Sequence, residues 1–155
     1  MRTPPFETTA ELETPTSAET WERVLTINEY YDAPRRGVAV YHGVPHIYHS
    51  PFDSDRDAYS DYFRLAPIGP DLLQLVLDQW KLWERWQEAY HSGRVTIESH
   101  PCLPVDREAY DRLANLIGNR LEIADRQEGI TCRAEFRETG DQRRQLEVRW
   151  RRVTD

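Results

Sequence analysis

Residues 37–48 read Gly-Val-Ala-Val-Tyr-His-Gly-Val-Pro-His-Ile-Tyr, two alternating runs on either side of His42-Gly43. That dipeptide suits the positive φ angles of a two-residue turn, so the stretch is a β-hairpin. A two-residue turn also sets the register. Val38 faces Ile47 and Val40 faces Pro45 on one side, while Tyr41 with Val44 and Ala39 with His46 share the other. One face is aliphatic and the other aromatic and polar, and Pro45, which cannot donate to a ladder, favours an edge position.

Upstream, Glu22 to Tyr31 alternates with enough β-branched and aromatic residues for a strand, broken by Asp32-Ala-Pro-Arg-Arg-Gly37. Downstream, residues 53–61 form an acidic loop, and a short apolar piece runs from Tyr62 to Leu65. Pro70 suits the first turn of a helix that continues to about His91 and stops at Gly93. Its polar stripe (Asp78, Lys81, Arg85, Glu88) is narrow, so the helix is buried on more than one side. Trp80, Trp83 and Trp86 spiral over about 120° of its wheel, which makes part of the set core. Arg94 to Glu98 reads as a short strand and Asp106 to Gln127 as a second helix. Cys132, Ala134 and Phe136, then Leu146, Val148 and Trp150, alternate with charged residues as a second hairpin turning around Thr139 to Arg143. These elements predict an α+β fold, an antiparallel sheet of about five strands built from two hairpins and packed on two helices. Residues 1–20, rich in Pro, Thr and Glu, form a flexible acidic leader, and residues 21–155 a single α+β domain.

The 155 residues carry a net charge of −7, although residues 130–155 are locally basic. An acidic surface repels nucleic acid and anionic lipid at long range, so neither is an expected partner. No run approaches a membrane-spanning length, and no secretory or transit peptide is read at the N-terminus. Cys102 and Cys132 lie outside any CxxC pattern and suit reduced thiols in a cytoplasm. Of the 20 basic residues only Lys81 is lysine, which leaves almost no amine for Schiff-base chemistry.

No complete cofactor or metal set is legible. His42, His46 and His49 diverge on an extended hairpin. Asp53, Asp55 and Asp57 begin a calcium-loop series, but Ala58 and Arg64 occupy the positions that need glycine and glutamate. Glu98, His100 and Cys102 are crowded for a tetrahedral site and are distorted by Pro101. Phosphate loops, G-x-S-x-G and H-E-x-x-H are missing. Arg143, Arg144, Arg149, Arg151 and Arg152 surround Trp150 in a way that suits phosphate contacts, but Glu135, Glu138, Asp141 and Glu147 interleave with them and suit cross-strand ion pairs.

The segment richest in recognition chemistry is Tyr30-Tyr31-Asp32-Ala-Pro-Arg35-Arg36-Gly37, since Tyr and Arg dominate binding hot spots. An Asp32–arginine salt bridge pinning the hairpin is the competing explanation for the same residues. The leading expectation is a non-catalytic, cytoplasmic protein-interaction domain of inhibitor or immunity type. It would bind a protein partner through Tyr30, Tyr31, Asp32, Arg35 and Arg36 with Tyr41, His46 and Tyr48 of the first hairpin, and a homo-oligomer is a separate option. The rival is a small hydrolase or transferase using His46 or His100 as base, in a pocket between that hairpin and the tryptophan-bearing helix.

Overall fold

The computed structural model describes residues 20–125, 129–139 and 145–153. The chain divides into two compact units, Met1–Pro67 with Gln127–Asp155, and Ile68–Arg126. The expected leader, residues 1–20, lies outside the described residues except for Thr20.

The first unit holds β1 (Trp21–Tyr30), β2 (Pro34–Tyr41), β3 (Val44–His49), β4 (Phe52–Asp53), β5 (Ala58–Tyr59), β6 (Phe63–Pro67), β7 (Ile130–Glu138) and β8 (Leu146–Arg152). Six of them close into an antiparallel barrel in the order β1-β2-β3-β6-β7-β8, and β4 pairs with β5 in a separate two-stranded sheet. This corrects the expected open sheet of about five strands packed on two helices. The closing contact is β1 on β8, with Trp21 opposite Arg149 and Arg23 opposite Glu147. Residues that far apart leave no local signal of their pairing.

The barrel interior is filled by its own side chains, among them Ala39, Tyr41, Tyr48, Phe63, Leu65, Cys132, Val148 and Trp150, with Phe136 packed against them. Small barrels close just wide enough for such filling. The His42-Gly43 turn has φ of 52° and 80°, and the β2–β3 register is the one its two-residue length dictates, Val38 opposite Ile47 and Tyr41 opposite Val44. The backbone N–H groups of His42 and Gly43 both donate to the Glu22 carboxylate, at 3.0 and 2.9 Å. The aromatic face, however, points inward. Tyr41 and Tyr48 are buried, so neither belongs to a surface site. On the opposite face Val38, Ile47 and Ala66 lie in register and are buried as well.

Gly37 sits where β1 and β2 are irregular in register, between Ile27 opposite Gly37 and Glu29 opposite Arg36. A Cβ there would collide with the Thr26 carbonyl and come within 2.7 Å of the Tyr48 hydroxyl. That hydroxyl donates to Thr26 O at 3.0 Å, and Thr26 Oγ1 accepts from Val38 N and donates to Asn28 Oδ1. The expected loop at residues 32–37 is therefore mostly strand. Pro34 opens β2, a position proline tolerates because no ladder donor is needed there. The acidic loop at 53–61 likewise contains a short hairpin, β4–β5.

In the second unit α1 (Pro70–His91) has the expected bounds and buries Leu72, Val76, Trp86, Gln87 and Ala89. Trp80 and Trp83 stack at 4.6 Å and are half-buried. The expected strand at Arg94–Glu98 is replaced by a 3-10 turn at Ile97–Ser99. The expected second helix is broken into α2 (Arg107–Ile117) and α3 (Arg120–Asp125), because Gly118 takes φ 51° and ends the first piece. Its expected end at Gln127 lies outside the described residues, as does all of the second hairpin's turn except Thr139, whose N–H donates to Gln145 O at 3.1 Å. No helix among the described residues is long and apolar enough to cross a membrane.

Trp150→Ala, which empties a site 1% exposed, is expected to cost about 3–5 kcal/mol in urea unfolding, and Phe136→Ala less because it is only half-buried. Gly37→Ala is expected to cost about 3 kcal/mol by forcing two backbones apart. A loss under about 1 kcal/mol for Trp150→Ala would contradict the aromatic barrel core.

Candidate functional site: an aromatic and arginine patch

The exposed chemistry of the first unit gathers around Arg35. Tyr30 pairs with Pro34 across the β1–β2 turn, where Asp32 takes φ 66°, a conformation that short polar residues tolerate. Arg35 then folds back. Its Nε–H donates to Tyr31 O at 2.9 Å, one terminal nitrogen donates to Ser50 Oγ at 3.4 Å, and its guanidinium lies 4.7 Å over the Tyr59 ring. Ser50 is fully buried and completes the clamp, with its N–H donating to Arg35 O and its hydroxyl to Ser60 O. Three segments distant in sequence are thereby held together.

On that frame Tyr31 lies 5.7 Å from Tyr59, and Phe52 meets Tyr59 edge-on at 5.1 Å. Tyr30, Tyr31 and Phe52 are 65%, 62% and 50% exposed. Monomer surfaces seldom cluster large rings in this way without a binding role. Asp32, Asp55, Asp57 and Asp61, close in sequence to these rings, are exposed, as is Arg56. Asp53 uses its carboxylate locally, accepting from Asp55 N at 3.0 Å and Arg56 N at 3.4 Å.

Of the segment singled out from sequence, the structure joins Tyr31 and Arg35 by contact, with Tyr30 at the end of β1 and Asp32 in the turn beside them. Arg36 is half-buried, with Glu29 at 3.6 Å and His49 Nε2 at 3.1 Å. His46 is half-buried, its Nδ1 2.8 Å from Val44 O and its ring edge-on to Tyr41 at 5.4 Å. Tyr41 and Tyr48 are interior. Phe52 and Tyr59 were missed. The available signal was that a ring brackets the acidic stretch on each side, which only the β4–β5 pairing turns into one surface.

Among the described residues no group of three or more His, Cys, Asp or Glu could hold a metal ion. Near His100, Trp86 Nε1–H donates to Ser99 Oγ at 2.8 Å and the Trp86 ring meets His100 edge-on at 4.8 Å. Cys102 is buried, and that burial raises its thiol pKa above the ordinary value. Burial pushes Cys132 up to about 11, and it raises Tyr41 and Tyr48 as well. Neither thiol has the depressed pKa that a nucleophile needs. No family model, no curated protein and no solved structure matches the chain.

Both thiols are expected to be unreactive toward a thiol reagent at pH 8 in the native protein and fully reactive in denaturant. Because the folded pKa of Cys132 lies above its ordinary 9.0, its stabilising effect is complete below pH 9 and falls away as pH rises toward 11. Melting midpoints should therefore drop over that interval, and Cys132→Ser should reduce the part of the drop due to this residue. A native Cys132 that reacts as fast as free cysteine would show that the barrel interior is open.

Proposed function

We propose that this chain is a non-catalytic protein-binding module, acting in the cytoplasm, that docks a partner protein on the patch formed by Tyr30, Tyr31, Phe52 and Tyr59 around Arg35. The observation that carries this reading is the contacting rings of Tyr31, Tyr59 and Phe52, of which Tyr31 and Phe52 are half or more exposed, as is the neighbouring Tyr30, while Arg35 and Ser50 are locked by hydrogen bonds. A rigid, prearranged surface of tyrosine and arginine loses little entropy on association. The aspartates close to it in sequence call for a partner whose docking face is basic, and they oppose self-association through this face because a second copy brings the same charges. An inhibitor or immunity role fits that chemistry, since such proteins mask a basic site with an acidic one.

The test uses the full chain and the triple variant Tyr30→Ser/Tyr31→Ser/Phe52→Ser as paired baits in host extract, followed by titration of the purified partner. Affinity for the variant is expected to fall at least about tenfold, while the free energy of unfolding moves by less than about 1 kcal/mol because these rings are exposed. Unchanged affinity for every captured protein would overturn the assignment. Arg35→Ala is the less informative change, since it also releases Tyr31 O and Ser50 Oγ.

A further inference from the structure

Three contacting rings limit what can sit on the aromatic patch. The Tyr31 and Phe52 centroids lie 5.7 and 5.1 Å from that of Tyr59, so the two are at most about 11 Å apart. Phe52 meets Tyr59 at 77° and Tyr31 is tilted from it by 35°, so the rings form an angled surface and not a flat one. Arg35 covers Tyr59 from 4.7 Å and is held there by Tyr31 O and Ser50 Oγ. With Tyr59 half-buried, the rings most open to a ligand are Tyr31 and Phe52. Tyr30, at the end of β1, adds a further exposed phenol.

Strand addition needs an unpaired edge, which a closed barrel lacks, and β4 and β5 are only two residues each. An amphipathic helix is about 10 Å wide and anchors through three successive turns, so it needs a longer groove than two open rings supply. A polyproline II segment needs less. In P-x-x-P the two prolines share one face about 9 Å apart, which fits the spacing of Tyr31 and Phe52. Its carbonyls make no internal hydrogen bonds, so the Tyr30 and Tyr31 hydroxyls can donate to them, whereas a helix has already used its own. Charge adds a second requirement. Residues 30–35 and 50–62 carry five aspartates against Arg35 and Arg56, a net charge of −3. Among the described residues no ion pair engages the carboxylate of Asp32, Asp55, Asp57 or Asp61.

We propose that the occupant of this patch is a proline-rich segment of the partner protein, held in the polyproline II conformation and flanked by arginine or lysine. Its prolines pack on Tyr31 and Phe52, and its basic side chains meet the aspartates. The inference rests on the patch being a protein-docking surface and names what docks there. Such a segment is ordered before it binds, and the hydrogen-bonded Arg35–Ser50 frame is ordered on the other side, so association costs little conformational entropy.

The experiment titrates the full chain with three synthetic peptides: a P-x-x-P segment flanked on both sides by arginine, the same segment flanked by glutamate, and the arginine-flanked segment with alanine in place of each proline. Affinity is read from the fluorescence anisotropy of labelled peptide, and ring C–H signals are followed by NMR. The arginine-flanked proline peptide is expected to bind saturably and to shift the Tyr31, Phe52 and Tyr59 ring signals. The other two should bind at least about tenfold more weakly. Tyr31→Ser and Phe52→Ser should each weaken the first peptide about tenfold while leaving the urea midpoint in place, because both rings are exposed. Leu116→Ser, at an exposed position of α2, should change neither. Asp55→Asn with Asp57→Asn should reduce the salt dependence of binding. An alanine peptide that binds as tightly as the proline peptide would overturn the proposal, as would equal affinity in the wild type and both ring variants. If the triple serine variant loses its partner from host extract while none of the peptides binds, docking on the patch stands and the proline-rich occupant is wrong.

Discussion

Four aromatic rings hold the barrel closed. Tyr48, Phe63, Phe136 and Trp150 come from β3, β6, β7 and β8, and all six ring-centroid distances among them fall between 5.7 and 6.4 Å. Tilted and edge-on pairs at these spacings each add about 0.5–1.5 kcal/mol beyond the area they bury. The remaining two strands are tied to the cluster by its polar atoms. The Tyr48 hydroxyl donates to Thr26 O on β1, and Trp150 Nε1–H donates to Val40 O on β2 at 3.1 Å. A buried hydroxyl or indole N–H without a partner would cost about 1–3 kcal/mol, so these two bonds decide where β1 and β2 must lie. Gly37 follows from the same requirement, since only a residue without Cβ lets Thr26 O and the Tyr48 hydroxyl meet there.

What was legible in the sequence was local. His42-Gly43 set both the turn and the register of β2 and β3, and strict alternation placed Val148 and Trp150 inside. Pro70 and Gly93 bounded α1. Barrel closure was not legible, because the inner face of an open sheet and the lining of a barrel share the same period of two. The pairing that distinguishes them joins Trp21 to Arg149. Tyr41 and Tyr48 were assigned to the binding surface as part of the aromatic and polar face of the first hairpin. The acceptor that satisfies the Tyr48 hydroxyl lies 22 residues earlier, where no pattern announces it. Gly118 was read through for a related reason, since a glycine inside a periodic helical stretch is tolerated in some helices and ends others.

The candidate site was half legible for the same kind of reason. Tyr30, Tyr31, Asp32 and Arg35 are neighbours in sequence and remain neighbours in space. Phe52 and Tyr59 join them only because Ser50 accepts from Arg35 and donates to Ser60, folding the residues between into a hairpin. Composition identified the chemistry of the surface. The buried serine that assembles it looks unremarkable in the sequence.

The net charge of −7 conceals two surfaces of opposite character. Exposed aspartates lie close in sequence to the rings near Arg35, whereas the outer side of β7 and β8 presents Arg133, Arg137, Arg149 and Arg151 with Glu135 and Glu147 between them. Two of these arginines are spent on direct cross-strand pairs, Arg137 with Glu147 at 2.7 Å and Arg149 with Glu135 at 2.6 Å, and both also lean on Trp21. Exposed pairs of this kind contribute little to stability. Their larger effect is to consume the carboxylates. Glu135 and Glu147 are thus each engaged by an arginine, while Arg133 lies over the Tyr62 ring and donates to its hydroxyl at 2.9 Å. Interleaving of charge along a strand therefore does not by itself say which charges meet: register decides that, and here it sets Glu135 opposite Arg149, Arg137 opposite Glu147 and Arg133 opposite Arg151.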